Sequence, residues 1–345
     1  MDIVEHLFIV CSPLQLRIVS QIKQRYSNYR FHVIYLKTKV ELKPYIYEAV
    51  NNDFASGLVA NMDYGFFNIL KIKNFLNRKN IACVYMANIS HLSIQYILKL
   101  LPRNVKIRTF DDGILSINSV GYLDKQIKLR KGLSRKLTQA WLGTPYNIRD
   151  IAEKSELHFS IVNKESNNRN VKCDIVYLDI ISNDYLTASH HTAIARNQGE
   201  INVFVGSKFK DILHNKNDDN LAALVNKIKH ISDRHRAFQY LRHPREKSSQ
   251  RFGMEEIVLD SISEDYICQL STRYQRVNVF GFASTCQLNV MKLDNVHITL
   301  LKTSLIRPDI RDSFALFANS EKVDILDLDE PSAVSEPLIH SQNLA

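Results

Sequence analysis

Short apolar runs alternate with amphipathic segments along the first half of the chain. We expect buried strands at four of these runs, at 6–11, 31–36, 81–86 and 106–110. Apolar residues at helical spacing predict helices between them, at 13–25, 66–76 and 93–101. Such an alternation of strand and helix predicts a doubly wound parallel sheet.

The pattern restarts after a less regular middle region. Segments at 157–162 and 174–178 are strand-like, and the polar stretch 183–200 predicts an interdomain connection. Beyond it, strands are predicted at 201–205, 237–241, 257–260, 277–282 and 296–301, and helices at 221–231, 265–274 and 309–319. We therefore expect an N-terminal Rossmann-like domain over 1–190, a C-terminal one over 200–325, and a loose tail over 331–345. Two Rossmann-like domains facing a central cleft form the outline of the GT-B fold, although other two-domain α/β proteins share it.

Bulk composition is that of a globular protein. The chain has 345 residues, 45% hydrophobic and 23% charged, enough for two cores. No stretch reaches the roughly 18 apolar residues that span a bilayer, and the first residues lack a signal-peptide pattern, so a cytoplasmic location is expected. The cysteines are scattered, without the paired spacing of a zinc site.

A formal net charge of +9 favours anionic partners such as nucleic acid, anionic lipid or phosphorylated small molecules. Part of this charge lies in segment 125–141, where Leu133, Leu137 and Trp141 recur at four-residue spacing. The segment fits a helix that packs its apolar side on the domain. It also fits peripheral contact with an anionic inner membrane.

Polar clusters follow several predicted strands, where ligands bind in open α/β sheets. Asp111, Asp112 and Gly113 end the strand at 106–110. A carboxylate there can accept a proton from a substrate hydroxyl, and repulsion between adjacent carboxylates can raise one pKa. An ordinary Asp-Gly turn has the same sequence.

A second cluster, His243, Pro244 and Arg245, follows the strand at 237–241. A histidine can neutralise a phosphate or protonate a leaving group, and proline stiffens the turn. The same residues also suit a polar strand exit.

Three smaller clusters have both a ligand-binding and a structural interpretation. Ser284 and Thr285 can bind an anion or cap a helix. Glu264 can hold ribose hydroxyls or favour a first helical turn. Gly206 and Ser207 form a small turn after a strand, without the spacing of a dinucleotide or ATP fingerprint.

The order of these clusters resembles bacterial sialyltransferases, most closely the lipooligosaccharide sialyltransferases of glycosyltransferase family 52. The resemblance runs from about residue 5 to 325 and is strongest in four blocks, at 88–113, 240–246, 263–267 and 277–301. It implies a GT-B fold. It also implies transfer of sialic acid, with inversion, from CMP-sialic acid to a terminal galactose of a surface glycan such as lipooligosaccharide or capsule. An α2,3 linkage is the family expectation, and no metal or other cofactor is expected.

The resemblance also implies roles for individual residues. His243, with Pro244 and Arg245, would contact the donor phosphate and help CMP to leave, and Ser284 and Thr285 would bind the same phosphate. Glu264 would bind the ribose, and the backbone at Gly206 and Ser207 would approach the nucleotide. Asp111 and Asp211 are both candidates for the general base. Asp211 is displaced slightly from the position that the family pattern implies.

Three alternatives stay open at this stage: a related transferase that uses a UDP-hexose, a basic nucleic-acid-binding protein, and an inactive scaffold. The sequence lacks the motifs of nucleic-acid-binding modules, and the resemblance suggests a homodimer. His190 and His191, in the polar connection, and the Asp327-Leu328-Asp329 triplet are interpreted as surface features rather than metal ligands.

Overall fold

The computed structural model describes residues 4–37, 43–63, 65–111, 113, 127, 132–162, 173–181, 198–234, 238–246, 252–318 and 320–330. The chain divides into two compact units, Met1–Ile180 and Ile181–Ala345. Most of the predicted connection at 183–200, and all of the predicted tail at 331–345, lie outside the described residues.

The first unit contains a seven-stranded parallel sheet in the order β3-β2-β1-β4-β5-β6-β7. Its strands are β1 (Glu5–Val10), β2 (Arg30–Lys37), β3 (Ser56–Asn61), β4 (Ile81–Met86), β5 (Lys106–Phe110), β6 (Ser155–Ser160) and β7 (Asp174–Tyr177). The helices described between them are α1 (Pro13–Arg25), α2 (Pro44–Asn52), α3 (Phe66–Leu76), α4 (Leu92–Leu100), α5 (Leu133–Leu142) and α6 (Ile148–Lys154).

The second unit contains a six-stranded parallel sheet in the order β10-β9-β8-β11-β12-β13. Its strands are β8 (Gln198–Val205), β9 (Phe238–Leu241), β10 (Glu255–Ile257), β11 (Tyr274–Gly281), β12 (Val296–Lys302) and β13 (Val323–Asp327). Its helices are α7 (Phe209–Ile212), α8 (Asp218–Ser232), α9 (Ser263–Arg273), α10 (Thr285–Val290) and α11 (Pro308–Asp312), which continues as a 3₁₀ turn (Ser313–Phe317).

Both sheets are doubly wound. The chain leaves β1 towards β3 and then returns to place β4 on the other side of β1; likewise it leaves β8 towards β10 and returns to place β11 beside β8. Helices therefore cover both faces, which explains why the central strands are continuous apolar runs. Leu7 to Val10, for example, have no exposed surface. The predicted α/β class with two Rossmann-like domains is confirmed.

The apolar pattern does not predict β3 or β13, and both are edge strands. An edge strand has one neighbour and is less deeply buried, so its hydrophobic signal is weaker. In β3, Gly57 also interrupts the apolar run. Glycine is needed there because a Cβ would lie 2.0 Å from the carbonyl oxygen of Val50 in α2.

Candidate functional site

The predicted donor-site residues of the second unit follow the carboxyl ends of its strands. The order of the sheet changes direction between β8 and β11, and such a switch point is where open α/β sheets bind ligands. Gly206 and Ser207 follow β8, and Ser284 lies shortly after β11. His243 follows β9, the neighbour of β8 on the other side. The sheet therefore brings these four residues to one edge.

Gly206 lies where two backbones approach closely. Its N–H donates to the carbonyl oxygen of Leu241 at 2.9 Å, which joins the end of β8 to the end of β9. A Cβ at this position would lie 2.8 Å from Cε2 of Tyr240 and 2.9 Å from that same carbonyl oxygen. The turn before Ser207 therefore requires glycine for packing, whether or not a ligand is bound.

His243 is half-buried, and a backbone hydrogen bond fixes its ring. Nδ1 accepts from the N–H of Arg245 at 3.1 Å, so the neutral imidazole carries its proton on Nε2. Burial, which is the largest cause, and the nearby charges of Arg245 and Lys208 together lower the pKa of His243 to about 4. The free protein thus holds a neutral ring beside cationic groups, an arrangement in which a bound anion would raise the pKa again.

Asp211 lies on α7, on the protein surface. Its carboxylate forms ion pairs with Lys208 and, at 3.5 Å, with Lys216, and its side chain is 49% exposed. The hydrogen bond from Lys208 is the main reason why the pKa of Asp211 lies below its ordinary value. The backbone of Asp211 is held as well, since its carbonyl oxygen accepts from Nη1 of Arg307 at 3.0 Å.

Ser284 begins α10 with a reciprocal capping box. Its Oγ accepts from the N–H of Gln287, whose side chain accepts in turn from the N–H of Ser284. Ala283, the residue before it, has a φ of 52°, a left-handed conformation that costs energy for a residue with a Cβ. The surface of Ser284 and Thr285 is partly exposed. The capping interpretation is therefore correct, and the serine hydroxyl proton can still be donated to an anion.

Glu264, in the first turn of α9, is only 6% exposed. Its Oε1 accepts from Nδ2 of Asn289 on α10 at 3.1 Å, between two buried side chains. This bond joins the helix that carries Glu264 to the helix that Ser284 caps. The carboxylate is thus oriented by the protein rather than by solvent.

Asp111, in the first unit, is a buried carboxylate with several donors. Its Oδ1 lies 2.9 Å from Nε2 of His158, and its Oδ2 accepts from Oγ of Ser160 and from the N–H of Ile161, both at 2.8 Å. His158 contacts Thr109 in turn, through Nδ1 at 2.9 Å. The carboxylate therefore joins the carboxyl ends of β5 and β6.

The remaining predicted features are partly outside the described residues. Asp112, His190 and His191 lie outside the described residues. Gly113 is described and has a φ of 117°, a conformation that favours glycine. Asp327 pairs with Lys302 at 2.8 Å, and Asp329 accepts from Thr303 Oγ1 at 2.8 Å and from the backbone of Ser304. Both aspartates of the triplet therefore stabilise the end of β12.

No group of three or more histidine, cysteine or acidic side chains that could hold a metal ion occurs within the described part of the chain. The expectation of a metal-independent enzyme stays a prediction. The helices that the structure describes include none with the length and apolar character needed to cross a bilayer.

Sequence reasoning missed three residues that hold the predicted ones in place. Asn289 orients Glu264, and Arg307 binds the backbone of Asp211. The third is Glu246, which accepts from the N–H of Phe209. Glu246 lies in the His-Pro-Arg-Glu block, which marks it as a candidate site residue in the sequence. Its hydrogen-bond partner, Phe209, is distant in sequence and could not be inferred from the block.

Two doubly wound parallel sheets, each in its own Rossmann-like unit, are the architecture of the GT-B fold. Within that fold class, the chain belongs to Glycosyltransferase family 52, whose sequence profile matches residues 28–305. The predicted family and the prediction of a glycosyltransferase are thereby confirmed.

Two relatives are similar over nearly the whole chain. The CMP-N-acetylneuraminate:beta-galactoside alpha-2,3-sialyltransferase of Pasteurella multocida is 28% identical over 341 residues, which cover 94% of this chain and 100% of that protein. The N-acetyllactosaminide alpha-2,3-sialyltransferase of Haemophilus influenzae is 24% identical over 312 residues, which cover 88% of this chain and 93% of that protein.

Among solved structures, the UDP-N-acetylglucosamine 2-epimerase from Rickettsia bellii aligns with a TM-score of 0.53. The alignment covers 93% of this chain and 90% of that chain at 10% identity. A likeness at this identity concerns the fold alone.

Proposed function

We propose that this protein is an inverting sialyltransferase that transfers sialic acid from CMP-sialic acid to a terminal galactose, in α2,3 linkage, of a surface glycan such as lipooligosaccharide or capsule. Membership of family 52 and two relatives named as alpha-2,3-sialyltransferases support it. The structural observation that carries it is the fixed ring of His243. His243 follows β9 at the carboxyl end of the sheet, where a nucleotide phosphate is expected, and its Nε2 is left to donate.

On the donor side, His243 and Arg245 would offset the charge of the phosphate, with Pro244 stiffening their turn, and the hydroxyls of Ser284 and Thr285 would donate to the same phosphate. The backbone at Gly206 and Ser207 would approach the nucleotide, and Glu264 would accept from the ribose hydroxyls. These protein donors supply the charge stabilisation that a metal ion provides in other transferases, so we propose that no metal is required.

We propose Asp211 as the general base. It is half-exposed, and flexible lysine side chains are the partners of its carboxylate, so an acceptor hydroxyl can replace them. The carboxylate would take the hydroxyl proton while the acceptor oxygen bonds to the anomeric carbon of sialic acid. The bond from that carbon to the phosphate oxygen breaks, and His243 stabilises the departing CMP. Asp111 is the less suitable candidate because its carboxylate already serves a buried network.

An assay with two donors tests the reaction. Purified protein is incubated with CMP-sialic acid or with UDP-glucose, each with β-galactoside acceptors, and the released nucleotide and the product linkage are determined. We expect CMP release that depends on the acceptor and an α2,3 product. Release of UDP with no release of CMP would support the rival UDP-hexose transferase, and turnover of neither donor would refute both.

A second part of the proposal is peripheral contact with an anionic membrane, where a lipid-linked acceptor would lie. On α5, the side chains of Leu133, Leu137 and Trp141 are 73%, 63% and 68% exposed, and a monomer rarely leaves such a stripe uncovered. The helix contains Arg135 and Lys136 and no acidic residue. Apolar residues beside basic ones suit the surface of an anionic bilayer.

Vesicle sedimentation tests this contact. We expect the protein to sediment with phosphatidylglycerol vesicles but not with phosphatidylcholine vesicles. Replacing Leu137 by Ser should weaken binding, as should neutralising Lys128, Arg130, Lys131, Arg135 and Lys136 together. Unchanged binding in both variants would refute membrane contact. A loss of dimer mass in Leu137→Ser, with vesicle binding unchanged, would assign the stripe to a homodimer instead.

A further inference from the structure

Glu246 forms hydrogen bonds with two loops that carry predicted catalytic groups. Its backbone N–H donates to the carbonyl oxygen of His243 at 2.9 Å, which closes the turn after β9. Its side-chain Oε2 accepts from the N–H of Phe209 at 3.0 Å. Phe209 is the first residue of α7, the helix that carries Asp211. A single residue therefore connects the His243 turn to the Asp211 helix.

The helix α7 depends on such external contacts. It contains only one turn, which is unstable by itself because nucleation fixes several residues for few hydrogen bonds. The first N–H groups of a helix lack partners within it. In α7, the side chain of the N-cap residue, Lys208, does not accept from them either. A carboxylate is a strong acceptor for such an N–H, because the bond is charge-assisted and complements the helix dipole.

Arg307 holds the opposite end of α7. Its backbone N–H donates to the carbonyl oxygen of Ile212 at 2.9 Å, and its guanidinium donates to that of Asp211 at 3.0 Å. Arg307 follows β12 and Glu246 follows β9. These two strands lie on opposite sides of β8, the strand before α7, so the helix is held from both sides. Of these two contacts, the one from Glu246 leads directly to His243.

We infer that Glu246 is a positioning residue that sets the place of Asp211 relative to His243, and so couples attack by the acceptor to departure of CMP. This inference rests on the proposed function. Ser284, which is proposed to bind the phosphate, is held by its own capping box with Gln287 and not by the contact between Glu246 and Phe209. Loss of that contact should therefore leave the nucleotide bound while the base is misplaced. Water then competes better with the acceptor for the sialyl group.

The test compares Glu246→Leu, which removes the acceptor, with Glu246→Gln, which keeps an amide oxygen. Glu255→Leu, at an exposed position on β10, is the matched control. In Glu246→Leu we expect the rate constant for transfer to fall by about tenfold or more, since misplaced groups lose rate steeply. We expect CMP affinity to stay within about twofold, and the ratio of donor hydrolysis to transfer to rise. Glu246→Gln should recover most of the transfer rate.

Amide hydrogen exchange at Phe209 measures the contact without reference to activity. It should accelerate in Glu246→Leu and remain slow in Glu255→Leu. Unchanged exchange would refute the contact, and equal losses of CMP affinity and transfer, at a constant hydrolysis ratio, would refute the positioning role. If the wild-type protein neither binds CMP nor consumes CMP-sialic acid, the proposed function fails instead, and the exchange rate still decides whether the contact exists.

Discussion

Asp111 and Asp211 each lie shortly after a parallel strand of their own unit, yet their surroundings differ. Asp111 directly follows β5 in the first unit, with 1% of its side chain exposed. Asp211 lies shortly after β8 in the second unit, with 49% of its side chain exposed. Both are aspartates near a strand exit, and the sequence offers both as the general base. In the structure, Asp111 belongs to a buried hydrogen-bond network, whereas Asp211 lies on the surface.

The partners of each carboxylate explain what this difference means. Asp111 accepts from Ser160 and Ile161 and contacts His158, all held by β6 or the residues that follow it. Removing a partner from such a network leaves buried polar groups without hydrogen bonds, which is costly. Asp211 is paired with lysines on flexible stems, which can move when a substrate binds. A carboxylate must be able to exchange partners if it is to accept a proton in each turnover.

The largest effect should come from Asp211→Asn. A neutral amide cannot take the acceptor proton, so we expect transfer to fall by about 1,000-fold, within the range for a general base. The melting temperature should change little, because the side chain is half-exposed. Steady-state kinetics and thermal unfolding measure the two quantities. Near-normal turnover would remove Asp211 from the mechanism.

His243→Ala should have the next largest effect. We expect turnover to fall by at least about 100-fold, because the variant lacks the group that stabilises the departing CMP. CMP release at saturating donor measures this effect, and His230→Ala, on the exposed end of α8, is a suitable control. If His243→Ala retains full turnover, the phosphate is bound by other groups.

The pKa of His243 should change by about one unit, a tenfold change in proton affinity, when a neighbouring charge is altered. Arg245 is among the causes of the low pKa of His243, so Arg245→Gln should raise that pKa, and so should bound CMP because the phosphate is an anion. Titration of ¹⁵N-labelled histidine by NMR measures both shifts. A pKa that is unchanged by CMP would place the phosphate away from this ring.

The same shift predicts how stability depends on pH. The folded-state pKa of about 4 lies below the ordinary value of 6.5, so between these values the unfolded chain binds the proton and the folded protein does not. The contribution of His243 to stability is therefore lost as the pH falls from 6.5 towards 4. His243→Ala should show a weaker loss of stability over this window in denaturant unfolding.

Asp111→Asn should have the smallest effect on turnover and a clear effect on stability. An amide keeps one oxygen for the two donors to Oδ2, but its other end is a donor, so the ring of His158 must change from donor to acceptor. Because a carboxylate is also the stronger acceptor, we expect a loss of about 1–3 kcal/mol in the free energy of unfolding. Turnover per folded molecule should fall only a few-fold. The opposite result, a loss comparable to that of Asp211→Asn at unchanged stability, would make Asp111 the base.

Much of the fold could be predicted because burial dominates the sequence pattern. Central strands such as β1 and β4 are covered on both faces, so their residues form continuous apolar runs. The edge strands β3 and β13 are half-buried and mix polar with apolar residues, so the pattern does not reveal them. Short helices such as α7 were missed for a related reason, since contacts with distant residues stabilise them rather than their own propensity.

The candidate site divides in the same way. The sequence by itself determined which residue types follow the strands, and their order identified the family and hence the class of reaction. Only the tertiary structure decided that Asp111 is enclosed, that the charge of Lys208 acts on the half-buried ring of His243, and that Glu246 contacts Phe209. The physical reason is that strand exits are encoded locally, by apolar runs that end in polar residues. Burial, hydrogen bonding and pKa depend on partners that are distant in sequence, and only folding brings them together.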